Sequence, residues 1–365
     1  GLHPISSPDG RWIAYTRSDG TSDSQLRVRD VTTGEVRSLG RTNGLATYSW
    51  MPDGRLLVSQ LELDGPYRSF GDLYYFDLDG GQHRLTEAAR LEQPSAGPDG
   101  DRAVAVQQGN GTNGLVIVDL ATGGVTPLVE PEDDVHWAFP RWSPDGRWIV
   151  ASRWTPGAYY DVFVLDAASG EIAWRVTNDR AMDHGPAWSP DSRSIVWSSD
   201  RNGTFNILGA TIDPSTGRAG EPRLLTNVRT GVAHPSVDAA GQTLYFSGHH
   251  VDGWEVERIP FDPGGLGTAD AAIARFEPSI TQPDRGLMEG AVENYSAFPT
   301  LAPTYWEVSY SDPVVAPEVS TSSVFIPRRE ILGFGLGIQT GGRDLVGRHA
   351  WGAVGRMTTT GSRFE

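Results

Sequence analysis

The chain has 365 residues, with 30 basic side chains that are all arginine, 46 acidic ones and no cysteine, for a formal charge of −16. An acidic body repels nucleic acid and anionic lipid surfaces, so neither is expected as a partner. Without cysteine there is no disulfide and no thiolate metal site, and no run of about 18 apolar residues is present to form a spanning helix.

The first residues, Gly1-Leu2-His3-Pro4, carry neither an initiating methionine nor a charged-then-apolar leader, and read as part of something longer. They already belong to a repeat. Its clearest copy is Trp142-Ser143-Pro144-Asp145-Gly146-Arg147-Trp148-Ile149-Val150, and its turn recurs at Pro8, Pro52, Pro98, Pro190 and, in a worn form, Ala239. Successive steps are 44, 46, 46, 46 and 49 residues, a period that signals an array of one supersecondary unit.

Each unit predicts four short strands. In the fourth, Ala138 to Ser143 leads into Pro144-Asp145-Gly146, where proline presets φ and glycine accepts positive φ. Arg147 to Ser152 returns, Asp161 to Asp166 follows, and a second turn at Ala168-Ser169-Gly170-Glu171 precedes a fourth strand from Ile172 to Thr177. Four antiparallel strands at this period are the signature of a propeller blade, and six units are countable. The expected fold is therefore all-β: a six-bladed β-propeller over residues 1–276, then an extended linker over 277–330 and a C-terminal β-hairpin over 331–365. The last blade needs a fourth strand from beyond Pro263, with Ala271 to Phe276 as the candidate.

In the hairpin, Leu332-Gly333-Phe334-Gly335-Leu336-Gly337-Ile338-Gln339 alternates bulky with bare positions, and Arg348 to Met357 is its expected partner after a turn at Gly341-Gly342-Arg343-Asp344. Such alternation suits a transmembrane β-strand, and equally an ordinary amphipathic hairpin packed on a blade. Unpaired strand edges there leave a route to oligomers.

The phrase Trp-Ser-Pro-Asp-Gly-Arg-x-Ile, with Ser199-Asp200-Arg201-Asn202-Gly203 and the closing Leu225-Thr226, resembles the WD40-like (PD40) repeat of TolB-type propellers. That resemblance covers roughly residues 1–276 and implies a fold shared by periplasmic TolB proteins, by propellers that precede hydrolase domains, and by propellers fused to outer-membrane proteins. Tyr295 to Trp306 and Gly341 to Ala350 are similar to the junction that leads from such a propeller into a surface-antigen type barrel. The resemblance implies the periplasm or outer membrane of a Gram-negative type bacterium, with a protein or peptide partner and outer-membrane association through the tail.

Catalytic signatures are missing: there is no Gly-x-Ser-x-Gly, His-Glu-x-x-His or P-loop. The expectation is a non-catalytic scaffold for binding protein or peptide, with an accessory propeller of a hydrolase or peptidase as the alternative.

Aligning the repeats on their turn prolines puts His3, Thr47, Gln93, Phe139, Gly185 and His234 at one position, with His184 one residue off. If six blades close, His184, His234 and His3 cluster at the mouth of the central channel, near Gln93, Asp133, Asp134, His136 and Asp183. Three imidazoles with carboxylates nearby suit a divalent metal at His3, His184 and His234, or an anionic ligand group. The plainer reading is that each His-Pro merely begins a strand. The tryptophans Trp50, Trp142 and Trp188 share another position and are expected in the core between blades rather than as a stacking platform.

Overall fold

The computed structural model describes residues 1–18, 24–43, 46–63, 69–155, 159–213, 218–265, 267, 296, 298, 301–311, 335–344 and 349–358. The chain divides into two compact units, Gly1–Ser279 and Ile280–Glu365. Among the described residues every regular element is a β-strand.

The first unit holds six antiparallel sheets in chain order. In the fourth, His136–Trp142, Trp148–Trp154, Tyr160–Asp166 and Ile172–Arg175 pair in succession. The turn of the repeated phrase is built by more than proline and glycine. Gly146 takes φ 77°, while the Ser143 hydroxyl donates to Asp145 Oδ1 (2.6 Å) and accepts the Trp148 amide (2.9 Å). Asp145 Oδ1 also accepts the Arg147 amide at 3.1 Å, so two side chains satisfy the donors a tight turn would otherwise leave bare. Ser7 with Asp9, and Ser189 with Asp191, repeat the arrangement.

The second turn of each unit has another reason for glycine. A Cβ on Gly170 would lie 2.2 Å from the Leu128 carbonyl of the preceding sheet, and one on Gly123 would lie 2.4 Å from that of Leu85. Only a bare residue allows the outer turns to touch.

The core lies between facing sheets, not within any one of them. Trp12, Leu26, Tyr48, Trp50 and Phe76 fill the gap between the first and second sheets. Val150, Trp188, Trp197 and Leu208 fill that between the fourth and fifth. Trp50, Trp142 and Trp188 are each 7% exposed, as the core reading expects.

The inner strands Leu2–Ser6, Tyr48–Trp50, Leu91–Ala96, His136–Trp142, Asp183–Trp188 and Val232–Val237 each lie against the next, and the sixth lies against the first. At that seam His3 N donates to Ser247 Oγ (3.1 Å) and Ser6 N to Ser236 Oγ (3.5 Å). Between the first two sheets the buried Tyr48 hydroxyl donates to the His3 carbonyl at 2.6 Å. Tyr48→Phe should lower the free energy of unfolding by about 1 kcal/mol, read as a shift of the urea midpoint at unchanged m.

The fifth sheet gains its outer strand from Arg223–Leu224, with Arg218–Ala219 pairing farther along Asn206–Asp213. The sixth has three described strands, and the fourth expected at Ala271 to Phe276 lies outside the described residues.

The second unit contains one three-stranded antiparallel sheet, ordered Tyr305–Ser311, Gly335–Arg343 and Ala350–Thr358. Two expectations change here. A strand lies within the stretch read as linker, and Gly341, Gly342 and Arg343 are strand residues rather than a turn. The glycine pair answers close packing: a Cβ at Gly342 would meet the Ala302 carbonyl at 2.3 Å, and one at Gly341 the Trp351 carbonyl at 2.8 Å. Alternation holds, since Trp306, Val308, Leu336, Ile338 and Met357 share one face by register and are all exposed. The opposite face carries Glu307, Gln339 and glycines, with Tyr305 and Val354 as its exposed large hydrophobics.

Candidate functional site

Every inner strand but the second is broken at the same place. Pairing with the neighbouring strand slips between Leu2 and Ile5, Ala138 and Arg141, His184 and Ala187, and Ala233 and Ser236, and a like slip occurs in the third sheet across Gln93-Pro94. At each slip a residue preceding proline has left-handed φ: His3 55°, Gln93 54°, Phe139 51°, Gly185 63° and His234 57°. Proline removes a ladder donor and the positive φ turns the chain, which together make a bulge that re-aims side chains.

The bulge amides are held by neighbouring sheets. Gln93 N donates to Thr47 Oγ1 (2.9 Å), Phe139 N to Gln93 Oε1 (2.6 Å) and His234 N to Ser198 Oγ (3.1 Å). Gln93 is thus a link between sheets and does not line the cavity described next.

The re-aimed rings meet. His3 and His234 have centroids 3.6 Å apart, and His184 lies 6.1 Å from His234. Phe139 stands 6.1, 5.9 and 6.4 Å from His3, His184 and His234. The three histidines therefore come together as the repeat alignment predicts; each is half-buried, and His3 and His234 line the cavity described below. Burial drives the imidazoles toward the neutral form. His3 is lowered to about 3 by burial, helped by Arg141 and His184; His184 is lowered by burial; His234 falls well below 6.5 by burial and then by His3, His184 and Arg141. The Nδ1 atoms of His184 and His234 are buried without a hydrogen-bond partner.

The carboxylates expected beside them are elsewhere. Asp183 is fully buried, accepting from Trp197 Nε1 (3.1 Å) and Arg201 Nη2 (3.2 and 3.3 Å), so it is consumed by packing within its own sheet. Burial pushes it up to about 6 against the pull of Arg201. Asp133 and Asp134 are exposed loop residues, and His136 packs on Trp154 at 5.7 Å; none lines the cavity. Among the described residues no group of three His, Asp or Glu side chains is arranged to hold a metal ion.

Beside the ring layer is a cavity of about 480 Å³ lined by all six inner strands. Pro8, Pro52, Pro98, Pro144 and Pro190 of the repeated turns also border it. Within it is one residue that motif reasoning passed over, Arg141. The signal was available in the repeat: the equivalent residues are Ile5, Ser49, Ser95, Ala187 and Ser236, and only this copy is charged.

Radial sheets around a lined channel define the class of β-propeller repeat proteins. Residues 71–265 match the TolB beta propeller domain, and the chain belongs to that family. It is 25% identical over 244 residues to an uncharacterised protein of Agrobacterium fabrum, covering 65% of this chain and 77% of that one. It is 28% identical over 207 residues to YuxL, an uncharacterised peptidase of Bacillus subtilis, covering 54% of this chain but 29% of the peptidase. Among solved structures, TolB from Acinetobacter baumannii superposes with a TM-score of 0.57 at 20% identity, covering 71% of this chain and 63% of that one.

Proposed function

We propose that the six sheets form a six-bladed propeller acting as a non-catalytic platform for a protein or peptide segment in the envelope of a Gram-negative type bacterium. The observation that carries this is the channel cavity: prolines border it, six inner strands line it, and no nucleophile and base are paired among its lining residues. A cavity of this size bordered by the turn prolines suits a chain end or loop. The family assignment supports an envelope setting. The exposed apolar face formed by Trp306, Val308, Leu336, Ile338 and Met357 supports outer-membrane association of the second unit, and the sheet's two edge strands offer a route to self-association.

The likeness to a Bacillus peptidase favours a second reading, in which this propeller is the accessory part of a hydrolase. One experiment separates the two. A photo-crosslinking residue is placed at Pro98 beside the cavity, or at Glu171 on an outer turn, and irradiated in native cells. Adducts specific to the Pro98 variant and formed with an envelope polypeptide support the platform. A hydrolase as the captured species supports the second reading, and matching adducts from both positions remove the channel from consideration.

A further inference from the structure

We propose that the channel is a carboxylate-recognition site, in which Arg141 receives the single anionic end of a narrow ligand. This rests on the reading of the channel as a binding site and names what it binds. Arg141 is the only arginine among the cavity's lining residues. Its Nη1 donates to the Pro140 carbonyl at 3.2 Å and, at 3.4 Å, to that of Pro94. Two main-chain carbonyls leave most of a five-donor guanidinium uncommitted. Among the described residues no carboxylate pairs with it. Asp238, the one acid lining the cavity, accepts the Gln242 and Thr243 amides of its own turn at 2.7 and 3.0 Å.

A half-buried cation without a counter-ion is unfavourable, and packing gives no reason to keep it, because isoleucine, serine and alanine fill the same place in the other sheets. Burial accordingly lowers Arg141 to about 10, still far above neutrality, so the guanidinium stays charged. Around it the walls are suited to a weakly hydrated anion. The Ser49 and Ser95 hydroxyls accept the Ala96 and Trp142 amides (2.9 and 3.1 Å) and each retains a hydrogen to donate. His234, also a lining residue, adds a neutral imidazole with a buried, unpartnered Nδ1.

The formal charge of −16 narrows the ligand further. The body as a whole repels polyanions, so attraction is local to one guanidinium, and a single carboxylate on an apolar stem is favoured over a phosphorylated or multiply acidic species. A peptide C-terminus and an acidic side chain on a peptide loop share that chemistry.

The test uses the full chain and three tetrapeptide probes: one with a free C-terminal carboxylate, its C-terminal amide, and an amidated peptide carrying one internal glutamate. Affinities are measured by calorimetry for the native protein, Arg141→Leu and Arg141→Lys. The expected result is binding of at least one carboxylate probe, loss of tenfold or more in Arg141→Leu, and partial recovery in Arg141→Lys, which keeps the charge without the fork. The free-terminus and glutamate probes identify which source of carboxylate fits. Equal binding of the amide, or equal affinity in Arg141→Leu, overturns the proposal while leaving the platform intact. Failure of every probe at millimolar concentration also overturns it, and the Pro98 crosslinking then decides the platform separately.

Discussion

Asp183→Ala should lower the free energy of unfolding by about 3–5 kcal/mol, the range for breaking a buried ion pair by removing one partner. Asp183 has no exposed surface and satisfies Trp197 Nε1 and Arg201 Nη2 together. Arg201, itself 9% exposed at its side chain, keeps Asp179 at 3.0 Å, so the loss should fall at the lower end of that range. Urea unfolding of the variant beside Glu171→Ala, an exposed control, measures the difference. A loss below about 1 kcal/mol would show that Arg201 and Trp197 find other acceptors or water. Asp183→Asn should be milder, since an amide oxygen still meets Trp197.

The second large effect is acid sensitivity from the histidine cluster. His3 has a folded pKa of about 3 against 6.5 when unfolded, so between those values the unfolded chain binds the extra proton and stability falls as pH falls. For His3 alone the full difference is on the order of 5 kcal/mol, complete only near pH 3. His184 and His234 shift in the same direction. Asp183 works the other way: its folded pKa of about 6 lies above 3.8, so its contribution is present below pH 3.8 and is lost as pH rises through 6. That opposing share is about 3 kcal/mol and offsets most of the His3 share above pH 4, so the net loss on acidification also needs His184 and His234. Unfolding free energies measured from pH 7.5 to 4 should decline with falling pH, and His3→Gln should flatten the decline. Identical profiles for the two proteins would mean that the cluster takes up water and stays charged.

Much of the architecture was legible because the repeat prints its turns in the sequence. Pro-Asp-Gly and the later glycine turns fix four strands per unit, and aligning six copies was enough to bring His3, His184 and His234 together. The bulge that re-aims them was not legible, because it also places left-handed φ at glutamine and phenylalanine, residues that preferences do not assign to that conformation. Asp183 was misplaced for a related reason: adjacency in sequence to His184 says nothing about which face of the strand it occupies, and Trp197 and Arg201 claim it from the other side. Arg141 is legible in the alignment only as a departure from the repeat, the one charged residue at a position otherwise held by isoleucine, serine and alanine, and no motif marks it. In the second unit, the proline-rich surroundings of Tyr305–Ser311 hid a strand, and Gly341-Gly342 looked like a turn because the carbonyls crowding them belong to distant residues.

The bulge has a consequence for how such a protein acquires new ligands. What the ring requires at that place is a main-chain amide pointing at a neighbouring acceptor, and His3, Gln93, Phe139 and His234 all provide it. At Thr47 and Gln93 the side chain is also used, as the acceptor for the next sheet's amide, whereas at His3, Phe139 and His234 it is left free to vary. At those three copies structural duty falls on the backbone, and each can change its chemistry without weakening the others. Three such places around one cavity amount to a combinatorial lock, in which specificity is rewritten by single substitutions on an unchanged frame.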